Sequence, residues 1–465
     1  MNTIAIRSLF LFLVFTLAHI APAAAATYYV SPNGTATWAQ ATNINTPTNG
    51  RTAMQNAVAG DIVYFRGGTY TPSASPMPLL TDAYWCPCWY PVNSGNAMQP
   101  ITFKAYPGES PVLIHYSNGP VIGSYRSNYI IIDGFHGEKI NAHSFIHIGG
   151  DGVYTQGCVI QNCRIKGYSW ESHDNNRCIL GRYARNLTVR NNYFYDASGP
   201  TQNTCAVQFY WVQNSIVENN TFYNLTCGIH DKQNCYDNIH RYNFFHDCKF
   251  PILLNNDQKR HKVYQNIMVG SKLFCAIETG YDVSLWDWRG DSHQIYNNTI
   301  VSPSAGGLTL HQTNEQQWNN IIINVGGIVY RSQVNCCGDG QPTYMDYNCY
   351  YNGQTFRIKH GGSGAKQYAS FSAWQNSGSL MGGGNPDTHS IYANPLFVNA
   401  GGATPTDYKL QANSPCRNAG RDGETMGAYI IGNEVIGYVG SGISTTTTSI
   451  DITPPAPPTG LRIIE

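Results

Sequence analysis

The chain is poor in charge. Only 12% of its 465 residues are Asp, Glu, Lys or Arg, and 28 basic residues are balanced by 28 acidic ones. A protein built to grip a nucleic-acid backbone shows a basic excess, so that class of partner is disfavoured. No stretch of useful length carries apolar residues at a 3.6-residue period, which excludes helical solenoids. Beyond the N-terminal region no apolar run approaches the length needed to span a bilayer. The 14 cysteines lack histidine partners at zinc-site spacing. Cys86-Pro87-Cys88 and the vicinal Cys336-Cys337 therefore suit loops better than metal.

What the chain does have is a repeat. The phrases LTVRNNYF from Leu187, SIVENNTF from Ser215, NIHRYNFF from Asn238, HQIYNNTI from His293 and QQWNNIII from Gln316 share one pattern: a β-branched or apolar stretch, an Asn, then an aliphatic or aromatic pair. Anchored on Asn192, Asn220, Asn243, Asn266, Asn298, Asn320 and Asn348, the copies are 28, 23, 23, 32, 22 and 28 residues apart. Gly134 and Cys163 extend the column two turns upstream. Such a period marks a solenoid with one supersecondary unit per turn. Short strands separated by Gly, Asp and Ser clusters make it an all-β coil, a parallel β-helix. Its strands stack about 4.8 Å apart. An Asn repeated at that spacing can pass side-chain hydrogen bonds from turn to turn, so these Asn residues are structural and not ligands. Cys205 and Cys227 fall on equivalent places of adjacent turns, either bonded or stacked.

Arg7, the apolar run from Leu9 to Ile20 and the APAAAAT that follows predict a signal peptide over residues 1–26, hence export. Residues 27–440 form the expected coil domain. Ala53 to Ala59 reads as a short helix capping an open end that would otherwise expose strand edges. ANPLFVNA, DYKLQANSPCRNAG and TMGAY read as final strands and an irregular closure. Residues 441–465 are a Thr- and Pro-rich tail or linker.

Counting twelve residues on from a ladder Asn gives Lys232, Asn255 and Glu278. Matching the phrases RCILGRY, CAVQFYW and GLTLHQT adds Arg182, Tyr210 and His311. The resulting column mixes guanidinium, phenol, amine, amide, carboxylate and imidazole; it is either an active surface or a solvated edge. Trp85 and Trp89, Trp170, and Trp286 with Trp288 sit in inserted loops. They could pack against sugar rings or against the coil itself.

The opening YYVSPNGT with AVAGDIVYFRGGTY, the YIIIDGF turn, the N-N-x-F turns and the closing NPLF…YKL…SPCRNAG…GAY together resemble the secreted right-handed parallel β-helix superfamily. That group holds pectate lyases, alginate lyases, chondroitinase B and mannuronan epimerases. Locally, GIHDKQNCYDNIHRYNFF from Gly228 is similar to the alginate lyase and chondroitinase B family, where a strand ends in the catalytic Lys and an Arg-x-Asn-x-Phe turn follows. The resemblance implies Lys232 as general base and places Arg241 near substrate. Uronate β-elimination needs a base for the C5 proton and a cation for the carboxylate as the enolate forms. Arg182 could neutralise that charge, and Tyr210 or His311 could protonate the leaving oxygen. Asn255, Trp286 and Trp288 would line the substrate path. This chain departs from the family in two places. Asn255 stands where an Arg is expected one turn beyond the Lys, and Thr226 to His230 carry no paired Glu. A calcium ion would instead draw on Asp231, Asp257, Glu278 and Asp282.

The expected function is thus an exported, monomeric polysaccharide lyase acting on an acidic polysaccharide. A uronan epimerase, a hydrolase using Asp231 and Asp257, and a non-catalytic glycan-binding protein are the alternatives.

Overall fold

The computed structural model describes residues 25–440, apart from 73–85, 116–118, 141–142, 168–174, 256–257, 272–274, 281–291, 302–305, 311–313, 324–327, 334–341, 353–354, 360–365 and 381. The expected signal peptide lies outside the described residues but for its last two positions, and the tail lies outside them entirely. Among the described residues no helix is long and apolar enough to cross a membrane.

Each turn of chain contributes one strand to each of three twelve-stranded sheets, so sequence neighbours lie in different sheets while repeat neighbours pair in parallel. The first sheet runs from Thr27–Val30 to Tyr344–Asp346 and the third from Gly68–Tyr70 to Ile391–Tyr392. The second carries the longest strands, among them Arg177–Arg185, Cys205–Gln213 and Cys227–Gln233. Inward columns such as Val189, Val217, Val263 and Ile295 fill one continuous core that extends into both ends.

The Asn ladder holds. From Asn192 to Asn320, each Asn gives its backbone N–H and its side-chain amide to the Oδ1 of the next ladder Asn, ending on Asn348, at 2.9–3.1 Å. Every member is fully buried. The doublets have a second cause. The residue before each ladder Asn turns the chain through the left-handed region, as Asn191, Asn219, Asn297 and Asn319 do with φ of 50°, 54°, 52° and 56°, and Asn tolerates that conformation better than most residues. Cys163 does sit on the ladder column, its N–H meeting Asn192 Oδ1 at 2.9 Å. Gly134 does not. Asp133 pairs with Gln161, so Gly134 (φ 81°) occupies the left-handed position one residue before, and Phe135 takes the ladder column.

Asn243→Ala should cost about 3 kcal/mol or more, because it strands the buried Asn220 N–H and removes the bonds that the Asn243 amide gives to Val217 O and Asn266 Oδ1. Denaturant melts of the two proteins measure it; a difference below 1 kcal/mol, on the order of one ordinary hydrogen bond, would mean the ladder is decorative.

Both ends are closed. The N-terminal helix spans Gly50–Asn56, three residues earlier than expected, because Asn49 caps it by accepting from the Thr52 N–H. Ala53 and Met54 seal the core. At the other end the ladder terminates on Asp387, whose carboxylate takes Asn348 Nδ2 at 3.0 Å and the indole N–H of Trp374 at 2.7 Å. The expected final strands are mostly absent. ANPLFVNA and DYKLQANS are joined by a single antiparallel bridge, Phe397 to Leu410. TMGAY begins a strap that runs back down the coil. Gly427 N–H bonds to Asn319 O, Gly437 N–H to Tyr242 O and Val439 N–H to Asn191 Oδ1, at 2.7–2.8 Å. The strap thereby stitches together the corners of successive turns.

Candidate active site on the second sheet

The second sheet sets the register that the proposed column needs. Arg182 pairs with Tyr210. Phe209 then pairs with Asp231 but Tyr210 with Gln233, which leaves Lys232 as the extra residue of a bulge. Bulges re-aim side chains and cluster at functional sites. Asn255 follows on the next rung, its N–H bonded to Asp231 O at 2.8 Å. Arg182, Tyr210, Lys232 and Asn255 are therefore successive rungs of one column.

Lys232 is half-buried and faces outward, with Nζ 5.7 Å from the centre of the Tyr210 ring and 2.7 Å from Asn203 Oδ1. The guanidinium of Arg177 lies 5.9 Å from the centre of the same ring. Arg177 is 6% exposed, yet its partners are all neutral: Gln208 Oε1, the His143 ring, and Asn175 Oδ1 at 3.0 Å. Burial and the adjacent guanidinium push the His143 imidazole down to about 2, so it stays neutral and accepts. Among the described residues no carboxylate pairs with Arg177 or Lys232, and nothing hydrogen-bonds the Tyr210 hydroxyl. Sequence reasoning passed over Arg177, although it heads the quoted phrase RCILGRY. Its position at a strand start, off the counted column, hid it.

Arg182 is engaged differently. Asp151 pairs with it and also accepts from the Tyr125 hydroxyl at 3.1 Å. Its guanidinium lies against Tyr183 and Trp211, which stack 4.7 Å apart on the left-handed corner of the sheet. These two half-buried rings border the column. Trp89 is buried against Phe65 and Tyr70. Trp85, Trp170, Trp286, Trp288 and His311 lie outside the described residues.

Three other expectations fail on geometry. Glu278 pairs with Leu253, two residues out of the column, because the connection before its strand is two residues longer than the preceding one and breaks the count of twelve. Asp231 pairs with Leu254 and faces the bore, bonded to His240 Nε2 at 3.1 Å and Asn238 Nδ2 at 3.0 Å. Asp231 and Glu278 thus occupy adjacent columns on opposite faces of one sheet and cannot share a calcium ion; Asp257 and Asp282 lie outside the described residues. Arg241 is on the first sheet, closed off by Glu218 Oε2 and the Tyr264 hydroxyl at 2.8 Å each. It supports neighbouring turns and does not reach the column.

Next to Arg177 is a second cluster, also missed. Cys205 and Cys227 pair across the sheet, and both belong with Leu253 to a small apolar patch. Cys205 Sγ is 3.8 Å from His230 Nδ1 and 3.4 Å from Gln208 Nε2. No disulfide joins the described cysteines. Burial opposes ionisation of both thiols; of the pair, Cys205 is the one that Cys227, His230 and Arg177 favour as the thiolate, while burial and Cys205 push Cys227 well up. A small recess of about 10 Å3, room for little more than one water molecule, lies beside Arg177 with Lys166, Thr204 and Cys205 also in its wall.

With this geometry in hand, known proteins can be compared. The family described as a right-handed beta helix region matches residues 122–300. No curated protein sequence matches the chain. Among solved structures, a mannuronic acid-specific polysaccharide family 6 lyase from human gut microbiota is 15% identical over 74% of this chain and 78% of its own, with a TM-score of 0.49. A family 6 alginate lyase is 13% identical over 80% of this chain but only 48% of its own, at 0.48. Pectate lyase Pel9A is 13% identical over 87% and 96%, at 0.44. The fold stands on the three parallel sheets themselves: the protein is a right-handed parallel β-helix.

Proposed function

We propose that the protein is an exported, monomeric lyase that cleaves an acidic, uronate-containing polysaccharide by β-elimination. The observation that carries the proposal is a phenol ring with two cations near it and no carboxylate paired to either: Tyr210 beside Lys232 and Arg177. A buried guanidinium hydrogen-bonded only to neutral groups is costly, and an anion that reaches it offsets that cost. In this reading Arg177 meets the uronate carboxylate and stabilises the charge that develops on it. Lys232, as the free amine, takes the C5 proton. The electron pair forms the C4–C5 double bond as the C4–O bond breaks, and the Tyr210 hydroxyl protonates the departing oxygen. Arg182, with Tyr183 and Trp211, borders the path of the neighbouring sugars. Calcium enters no step of this reading; Asp231 and Glu278 lie on opposite faces of the sheet, and Asp257 and Asp282 lie outside the described residues.

Incubation with alginate, pectate and glycosaminoglycans, followed by the absorbance of unsaturated ends, tests the proposal. Lys232→Ala, folded by circular dichroism, should abolish the signal. Silence of the wild type on every uronan, with binding retained, would assign a glycan-binding protein instead.

A further inference from the structure

The Cys205, Cys227 and His230 cluster plays no part in that reaction, yet its donor atoms converge. All three lie within 4.8 Å of one another, and all three residues are at most 1% exposed. A tetrahedral zinc with ordinary Zn–S and Zn–N bonds would hold sulfur and nitrogen about 3.6 Å apart and two sulfurs about 3.8 Å apart. The observed Cys205 Sγ to His230 Nδ1 distance of 3.8 Å is close to that.

The surrounding hydrogen bonds decide which histidine nitrogen carries the lone pair. Arg177 Nε donates to Gln208 Oε1, so the Gln208 amide must turn its NH2 toward His230, where Nε2 of Gln208 lies 3.3 Å from Nδ1. Nδ1 is then an acceptor and the proton sits on the His230 Nε2. The Asn255 amide nitrogen lies 3.2 Å from that Nε2; with Nδ1 as the acceptor, the amide is assigned the other way round, its oxygen facing the Nε2–H. An imidazole with its far N–H held by a fixed acceptor and its near lone pair aimed at two thiols is how metal-bound histidines are oriented. Leu253 and Phe250 pack against the cysteines and keep the cluster dry. Two thiolates and one neutral imidazole would cancel a divalent charge, which suits a site beside the cationic Arg177.

We propose that Cys205, Cys227 and His230 bind a thiophilic divalent metal ion, zinc by ligand type, with a fourth coordination position open toward Gln208 and the recess. Binding releases the two thiol protons and displaces the Gln208 NH2 from Nδ1. The inference does not rest on the lyase reading, and its readouts are independent of catalysis.

The test uses full-length protein purified with reductant, stripped of metal and titrated with Co(II) as a spectroscopic probe. One equivalent should bind with thiolate-to-cobalt charge-transfer absorption and be displaced by Zn(II). Cys227→Ser and His230→Gln should lose the stoichiometric site, and Asn255→Leu should weaken it roughly 10–100-fold, as loss of an orienting partner does. If these variants fail to fold, the wild-type spectrum alone decides. A cobalt spectrum without thiolate bands would overturn the proposal, as would a peptide map of the native protein showing Cys205 joined to Cys227.

Discussion

Arg177→Met should leave a protein at least as stable as the wild type and nearly without activity. The two halves of that expectation share one cause. A guanidinium that is 6% exposed and hydrogen-bonded only to Gln208, His143 and Asn175 has lost its hydration without gaining a carboxylate partner. Replacing such a group by an apolar side chain of similar length is often neutral or stabilising. Catalysis moves the other way. Removing one preorganised donor to developing oxyanion charge typically costs about 10²–10³-fold in kcat, and the loss should fall on kcat and kcat/KM together if Arg177 acts mainly in the transition state. Arg177→Lys keeps the charge but not the fork, and should recover only part of the rate. Thermal melts and steady-state kinetics on a uronan decide the matter. A variant that unfolds early yet retains its turnover would show that Arg177 is structural and that the cation pair around Tyr210 is incidental.

The fold was legible because its determinants are periodic. Asn192 through Asn348 repeat at every turn, and a hydrogen-bond ladder tolerates no slip, so the count along the chain reproduces the stacking. The site was less legible because it depends on departures from that period. The bulge at Lys232 re-aims a side chain without any mark in the repeat, and the two extra residues ahead of Cys275–Thr279 shift the outward column so that a fixed count of twelve misses it. Hence Arg182, Tyr210, Lys232 and Asn255 were aligned correctly while Glu278 was not. Whether a residue faces the bore or the solvent changes with every single step along a strand. Asp231 and Lys232, adjacent in sequence, accordingly have opposite fates. The strap from Thr425 to Val439 has no repeat and little strand alternation. Its contacts with Asn191, Asn219 and Tyr242 span more than 190 residues of chain, a separation that no local pattern encodes.

Acid should begin to destabilise this protein above the pH at which carboxylates titrate. His261 is fully buried in the bore. Its Nδ1 accepts the Asn238 N–H at 3.0 Å, and its Nε2–H meets Gln258 Oε1 at 2.9 Å. A second proton would have to go onto Nδ1, against an amide hydrogen already pointing there. Burial, followed by the neighbouring His293 and His240, pushes its pKa down from 6.5 to about 3 in spite of Asp231. The unfolded chain therefore binds a proton below pH 6.5 that the folded chain refuses, so stability is full above that value and falls as the pH drops toward 3. At about 1.4 kcal/mol per pH unit, His261 alone removes roughly 2.5–3 kcal/mol between neutrality and pH 4.5. His143, lowered to about 2 by burial and Arg177, acts in the same direction. Below pH 4, Asp231 joins them. Although burial opposes its ionisation, His240 and His261 hold its pKa at about 2, so its contribution is present above 3.8 and disappears as it protonates. Denaturant titrations of the wild type and His261→Gln at pH 7.5 and 4.5 isolate the first effect, since glutamine can accept from Asn238 without titrating. The variant should lose roughly 2.5–3 kcal/mol less than the wild type between the two pH values; an identical loss in both would place the acid sensitivity elsewhere.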